Sequence, residues 1–271
     1  MNQPLSPDEY QEPVCPLCMN PSGPTVPIDR VIRRLDEFLS RNDYSGAKRH
    51  LAYWLEEAQV IGDARGELSL RDEGMGLFRK CAEREEAYAH AEKALSLLSS
   101  LGLENTVTAA TVRLNAATVY KAFGEPERAL PLYEKAMETY RRDLPPKDAR
   151  LAGLLNNRAL ALCDLGLFSE AEENLREAIA IQQKVPNGQA DEAISWLNLA
   201  DLLHRRDGEA AEKAVDDCLR RGLSLLQTPS LPRDGYYAFV CEKCAPTFRF
   251  YGYFADAREL AEQARRIYER A

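Results

Sequence analysis

The sequence predicts an all-α solenoid, a stack of about six helical hairpins that follows a short tail. Pairs of alanines recur at an unchanging interval of 42 residues, and three glycines keep the same interval. The alanines are Ala87 and Ala94, Ala129 and Ala136, and Ala171 and Ala178; the glycines are Gly124, Gly166 and Gly208. A fixed period of roughly 20–50 residues is typical of proteins whose repeats each pack on their neighbours.

Residues 1–27 differ in composition from the rest of the chain. They hold seven of the fifteen prolines, and their charged side chains are Asp8, Glu9 and Glu12, with no lysine or arginine. Proline at this density sustains neither helices nor sheet ladders. We therefore expect a flexible, proline-rich acidic tail, which in extended form is long enough to lie along a groove of its own solenoid.

The remaining residues, 28–271, form the predicted solenoid. In its clearest unit Leu155, Ala159 and Leu162 recur at helical intervals, and Gly166 ends the first helix where a left-handed residue is needed. Ala171 and Ala178 then allow the returning helix to approach closely. The units are predicted at about residues 28–60, 65–101, 107–143, 149–185, 190–227 and 234–271.

The last unit is unusual in its aromatic content. We expect Pro246 to kink or break the first helix of this unit. The aromatic residues lead to two alternatives, self-association through the C-terminal hairpin or internal packing over the kink. They are Tyr236, Tyr237, Phe239, Phe248, Phe250, Tyr251, Tyr253 and Phe254.

The repeat closely resembles the tetratricopeptide repeat, and the 42-residue pattern LNN-x-A, G-x-x-x-E-A and a final alanine is similar to the repeats of kinesin light chain. The pattern is strongest in the three central units. The resemblance implies a right-handed superhelix and a concave groove lined by the first helix of each hairpin. It also implies a scaffold that binds other proteins, in the groove or elsewhere.

Asparagine occupies the same position in three successive units. Asn115, Asn157 and Asn198 each precede a small residue on a first helix. A row of side-chain amides can bind the main chain of an extended peptide, because each amide has two donors and an acceptor. The alternative is that these amides join neighbouring helices and hold the stack together.

A row of basic residues follows about two turns later on the same helices. Its members include Arg79, Lys121, Arg205 and Arg249, and these side chains could bind carboxylates of an acidic peptide. Favourable interaction with the negative C-terminal end of a helix explains the same residues without any ligand.

The seven cysteines include two close pairs, Cys15 with Cys18 and Cys241 with Cys244. Two C-x-x-C pairs can form a zinc site, but the long interval between them makes this a weak candidate, and we expect neither a metal nor another cofactor. Scattered free thiols in a helical chain favour the cytoplasm.

Net charge and the absence of catalytic motifs exclude several classes of function. The net charge of −8 argues against binding to nucleic acid or to an anionic membrane. No phosphate-binding loop or nucleophile elbow is present, so we expect no enzyme. The sequence thus predicts a protein-interaction module that binds an extended peptide or partner segment in its concave groove. The alternatives are a self-associating scaffold, such as a homodimer, that uses its C-terminal hairpin and convex face, or a zinc-dependent assembly through the C-x-x-C pairs.

Overall fold

A computed structural model describes residues 23–270 of the chain. Its helices pair in chain order as six hairpins, and the described residues contain no strand, which confirms the predicted all-α solenoid. The helices are α1 (Ile28–Ser40), α2 (Tyr44–Ile61), α3 (Ala64–Lys80), α4 (Arg84–Ser100), α5 (Val107–Ala122), α6 (Pro126–Asp143), α7 (Ala149–Asp164), α8 (Phe168–Gln182), α9 (Gln189–Asp207), α10 (Glu212–Leu226), α11 (Gly235–Phe250) and α12 (Phe254–Tyr268). A short 3-10 turn, Gly208–Ala211, joins α9 to α10.

The turns inside the hairpins use the left-handed backbone conformation that the glycine spacing predicted. Gly124 has φ +83° and Gly166 has φ +75°, a region that costs glycine nothing because it lacks a Cβ. In the second hairpin a non-glycine residue, Ala82, occupies this place with φ 57°. The backbone therefore repeats even where the sequence does not.

The recurring alanines let the helices of each hairpin pack closely. All six are fully buried, as expected from their spacing. Larger side chains fill the remaining space, among them Tyr120, Tyr133 and Leu175. The core extends along the stack instead of forming one centre, because each hairpin packs on the next.

The end of the predicted tail is anchored to the solenoid. The side chain of Val26 is buried, and its backbone N–H donates a hydrogen bond to Oδ2 of Asp63 at 2.9 Å, at the start of α3. The same carboxylate caps α3 by accepting from the Gly66 N–H at 2.8 Å through Oδ1. The rest of the predicted tail, through residue 22, lies outside the described residues.

The break predicted at Pro246 is wrong, because α11 continues as a helix through this residue. Proline removes one backbone hydrogen bond, but the same helix buries Cys241, Cys244 and Phe248 against its neighbours. This tertiary packing maintains the helix against the local preference of proline.

Among residues 23–270, no helix is long and apolar enough to cross a membrane.

Candidate functional site

The concave side of the solenoid is formed by the first helix of each hairpin. These helices, α1, α3, α5, α7, α9 and α11, each contact the next first helix along the stack. Within the described part of the chain, the second helices make no comparable contacts with one another. The stack therefore curves toward the first helices, and the surface they line is a groove.

Several charged side chains in this groove are reached by solvent and yet surrounded by protein. Arg79 and Lys243 are exposed, but burial lowers the pKa of each. Glu73 is half-buried, and burial together with the negative charges of Asp72 and Asp36 raises its pKa to about 7. A concave surface explains this combination, because protein approaches such groups from several sides without covering them.

Three cations from separate hairpins influence one another electrostatically across the groove. Burial lowers the pKa of Lys243 on α11, and the positive charges of Arg79 on α3 and Lys121 on α5 lower it further, while the negative charge of Asp191 opposes them. Lys121 has only a long ion pair, 4.0 Å from its Nζ to Oδ2 of Asp164. Neither Arg79 nor Lys243 forms an ion pair with any described residue. We call Arg79, Lys121 and Lys243 the cation cluster.

An acidic region formed by Asp36, Asp72 and Glu73 lies toward the first two hairpins. Asp72 is held by Asn115, whose Nδ2 donates to both carboxylate oxygens at 3.0 and 2.9 Å. Burial raises the pKa of Asp72, and this hydrogen bond opposes the rise. The groove is thus divided into an acidic region and a basic region.

The predicted asparagine row is engaged in intramolecular hydrogen bonds. Asn198 donates from Nδ2 to Oδ1 of the buried Asn156, one hairpin earlier, at 3.0 Å. Asn115 also bridges to the preceding hairpin through Asp72. Asn157 instead donates to the Gly153 carbonyl of its own helix at 2.9 Å. Two of the three amides therefore join neighbouring units, which was the alternative to peptide binding.

The predicted basic row is not a single surface. Arg205 binds the fourth hairpin, with 3.2 Å from Nη1 to Oδ1 of Asp164 and 2.8 Å from Nη2 to the Cys163 carbonyl. Arg249 is exposed and lines a cleft between the first and last hairpins. Lys243 was missed by the sequence analysis, because the turns of the last two hairpins shift the repeat interval and conceal its register.

The cysteines Cys241 and Cys244 lie on the buried face of α11. Both are almost fully buried, and burial raises the pKa of Cys241 and raises that of Cys244 to about 12. Their partners in the weak zinc candidate, Cys15 and Cys18, lie outside the described residues. Residues 23–270 contain no cluster of three or more ligands able to hold a metal ion.

The three histidines occupy separate structural environments. Nε2 of His50 lies 3.0 Å from the Val31 carbonyl oxygen. His90 is buried against Gly74, and burial lowers its pKa to about 4. His204 is exposed and packs edge-on against Phe250.

Comparison with known proteins agrees with this architecture. The family model described as tetratricopeptide repeat matches residues 71–142 and 150–222, together more than half of the chain. A search of curated proteins finds no match.

Among solved structures, the crystal structure of BtubC (BKLC) from P. vanneervenii is 24% identical, with a TM-score of 0.64, covering 76% of this chain and 83% of that one. A kinesin light chain protein with nearly identical TPR-like repeats from Podosopora anserina is 18% identical, with a TM-score of 0.53, covering 75% and 95%. At these identities the likeness establishes the fold alone. Tetratricopeptide repeats generally mediate protein–protein interactions and are generally not enzymes. The match to the family model shows that this chain belongs to the tetratricopeptide repeat family.

Proposed function

We propose that the chain is a protein-interaction module whose concave groove binds an extended acidic segment of another protein. The observation that carries this proposal is the cation cluster, in which the positive charges of Arg79 and Lys121 act on Lys243 from two other hairpins. Like charges crowded in a partly buried place destabilise the free protein. A carboxylate between them would remove that repulsion and form charge-assisted hydrogen bonds.

The helix-dipole explanation accounts for only part of the cluster. Arg79 and Lys121 lie in the last turns of α3 and α5, where the negative helix end favours a cation. Lys243 lies seven residues before the end of α11, beyond the range of that effect. Its position across the groove from the other two supports a role in binding.

The predicted peptide contacts contribute unequally to this proposal. Asn157 uses one N–H within its own helix, so its second N–H and its carbonyl oxygen can bind a peptide main chain. Asn115 and Asn198 would have to share the amides that already bridge hairpins. Arg205 is partly neutralised by Asp164, and Arg249 would act at the end of the groove.

The cytoplasm remains our proposed place of action. All five cysteines within residues 23–270 are free, as expected for a chain in a reducing compartment.

The test is the binding of a fluorescein-labelled, glutamate-rich 12-residue peptide, measured by anisotropy beside a matched glutamine-rich peptide. Lys243→Gln should weaken binding of the acidic peptide roughly tenfold, because it removes one charge-assisted hydrogen bond and its contribution to the binding free energy. Lys213→Gln is the matched control, because Lys213 is an exposed lysine on α10, outside the layer of first helices. Equal affinity for the two peptides, or no effect of Lys243→Gln, would contradict the proposal.

Self-association is a second candidate, supported by exposed aromatic side chains on the last hairpin. Phe254 is 68% exposed, and the rings of Tyr236 and Phe239 stack on the surface with centroids 6.2 Å apart. Exposed aromatic surface of this kind favours contact with a second copy. Light scattering over a hundredfold range of concentration tests this candidate, and a constant monomer mass would exclude it in that range.

A further inference from the structure

The two ends of the solenoid face each other across a cleft of about 830 Å³. One wall is the turn between α1 and α2, with Ser40, Arg41 and Asn42. The opposite wall is the last hairpin, whose apolar lining residues include Pro246, Phe250 and Tyr268. This cleft lies outside the cation cluster, and Arg249 is the one residue that it shares with the proposed function.

The wall on the last hairpin is the face that a following hairpin would cover in the earlier units. Ala261 and Ala264 on α12 leave it open for close approach, and Phe250 on α11 is 71% exposed. Within residues 23–270 no other element covers this apolar surface.

We propose that residues 1–22 dock in this cleft as an extended segment and join the first hairpin to the last. The chain enters the described part beside α1, because Val26 is fixed to Asp63. The 13 residues of α1 span about 20 Å from there to the cleft. About six extended residues cover that distance, and the 22 residues together reach about 70 Å.

The chemistry of this segment matches the walls of the cleft. Its prolines disfavour a helix and favour the extended polyproline conformation, which binds surfaces lined by aromatic residues. In the proposed arrangement residues 17–22 would span α1, and the acidic stretch from Asp8 to Glu12 would lie in the cleft. Arg41 and Arg249 line opposite walls, and neither forms an ion pair within residues 23–270. The wall on the last hairpin also carries Glu242 and the paired Arg265 and Glu269, so the two unpaired arginines leave the lining with a net positive charge.

Proximity cross-linking with a short bis-maleimide tests this docking, because Cys15 and Cys18 are natural thiols of the segment. Cys81, the one partly exposed thiol in the described region, is first replaced by serine. Ala261→Cys, in the cleft, should then give an intramolecular cross-link that mass spectrometry of the digested protein locates. Ala214→Cys on α10 is the matched control, since Ala214 is also exposed and lies outside the cleft.

The outcomes separate this docking from other positions of the segment. Equal cross-linking at both positions, or none at Ala261→Cys, would overturn the proposal. Cross-links between two chains at Ala261→Cys would identify a second copy as the occupant and overturn it too.

Charge variants provide a second readout, because the rate of the cross-link reports docking of the segment and not binding of a peptide. Arg41→Glu combined with Arg249→Glu should slow the intramolecular cross-link about tenfold, because the acidic stretch loses both partners. Lys243→Gln should leave the rate unchanged, since Lys243 belongs to the groove. A decrease with Lys243→Gln alone would place the segment in the groove and refute docking in the cleft.

Discussion

Two glycines of α3, Gly74 and Gly76, should respond to alanine in opposite directions. A Cβ on Gly74 would place three ring atoms of His90 within 3.0 Å. His90 cannot move away freely, because it is 4% exposed and its ring packs on Phe78 at 5.0 Å between centroids. A Cβ on Gly76 would meet nothing within 4 Å.

The magnitudes follow from two opposing effects. Alanine in place of glycine inside a helix contributes about 0.5–1 kcal/mol of stability, and Gly76→Ala should gain this amount. At Gly74 the same gain is outweighed by overpacking, which costs about 1–3 kcal/mol. Gly74→Ala should therefore lose about 1 kcal/mol net, and because the helix gain is common to both variants, their stabilities should differ by the overpacking cost of about 1–3 kcal/mol.

Native-state hydrogen exchange of the α3 amides measures this difference. A local measurement is preferable to a single unfolding midpoint, because repeat arrays need not unfold in one step. Urea unfolding followed by circular dichroism gives the same comparison for the whole chain. Stabilisation by both alanines would show that His90 does not pack against Gly74 and would refute the reasoning.

Three further predictions test the stack. Ala82→Gly should stabilise the protein by about 1 kcal/mol in thermal unfolding, because glycine adopts the left-handed backbone conformation of this position without strain. The control Ala214→Gly, on the exposed face of α10, should destabilise the protein by about the same amount. Asn156→Ala should lower the free energy of unfolding by about 1–3 kcal/mol, because Oδ1 of Asn156 accepts a hydrogen bond from the fully buried Ser195 hydroxyl at 3.1 Å. Strict additivity in a double-mutant cycle with Ser195→Ala would contradict this hydrogen bond. Glu73 has its pKa raised to about 7 from 4.5, so its contribution to stability falls as pH rises through that window. Glu73→Gln should therefore raise the urea midpoint at pH 8 and leave it nearly unchanged at pH 4.5, and an equal rise at both values would contradict this.

The repeat pattern was sufficient to predict the fold. The spacing of Ala129 and Ala136 identified positions where helices must approach closely, and Gly166 marked a left-handed turn. Both are local requirements on side-chain size: alanine is small enough for close packing of two helices, and glycine lacks the Cβ that disfavours a left-handed turn. Pro246 shows the limit of such reasoning, because the packing of α11 outweighs the preference of a single residue.

The groove was only partly predictable. Asn115 and Asn198 were placed in a row, but their partners Asp72 and Asn156 belong to the preceding hairpin and became clear only in the structure. The charge of Arg79 in the second hairpin acts on Lys243 in the sixth, because the stack curves toward its first helices. No local sequence pattern encodes that curvature, so the cation cluster required the structure.

Exchange of charge in the cation cluster tests the central claim most directly. Arg79→Glu combined with Lys243→Glu should weaken binding of the glutamate-rich peptide at least about a hundredfold and create binding of a lysine-rich peptide of equal length. The matched control, Lys184→Glu with Lys213→Glu, changes two exposed lysines outside the first helices and the net charge by the same amount. We expect the control pair to keep the preference for the acidic peptide. The same loss in both pairs, or no reversal of preference in the first, would contradict the account.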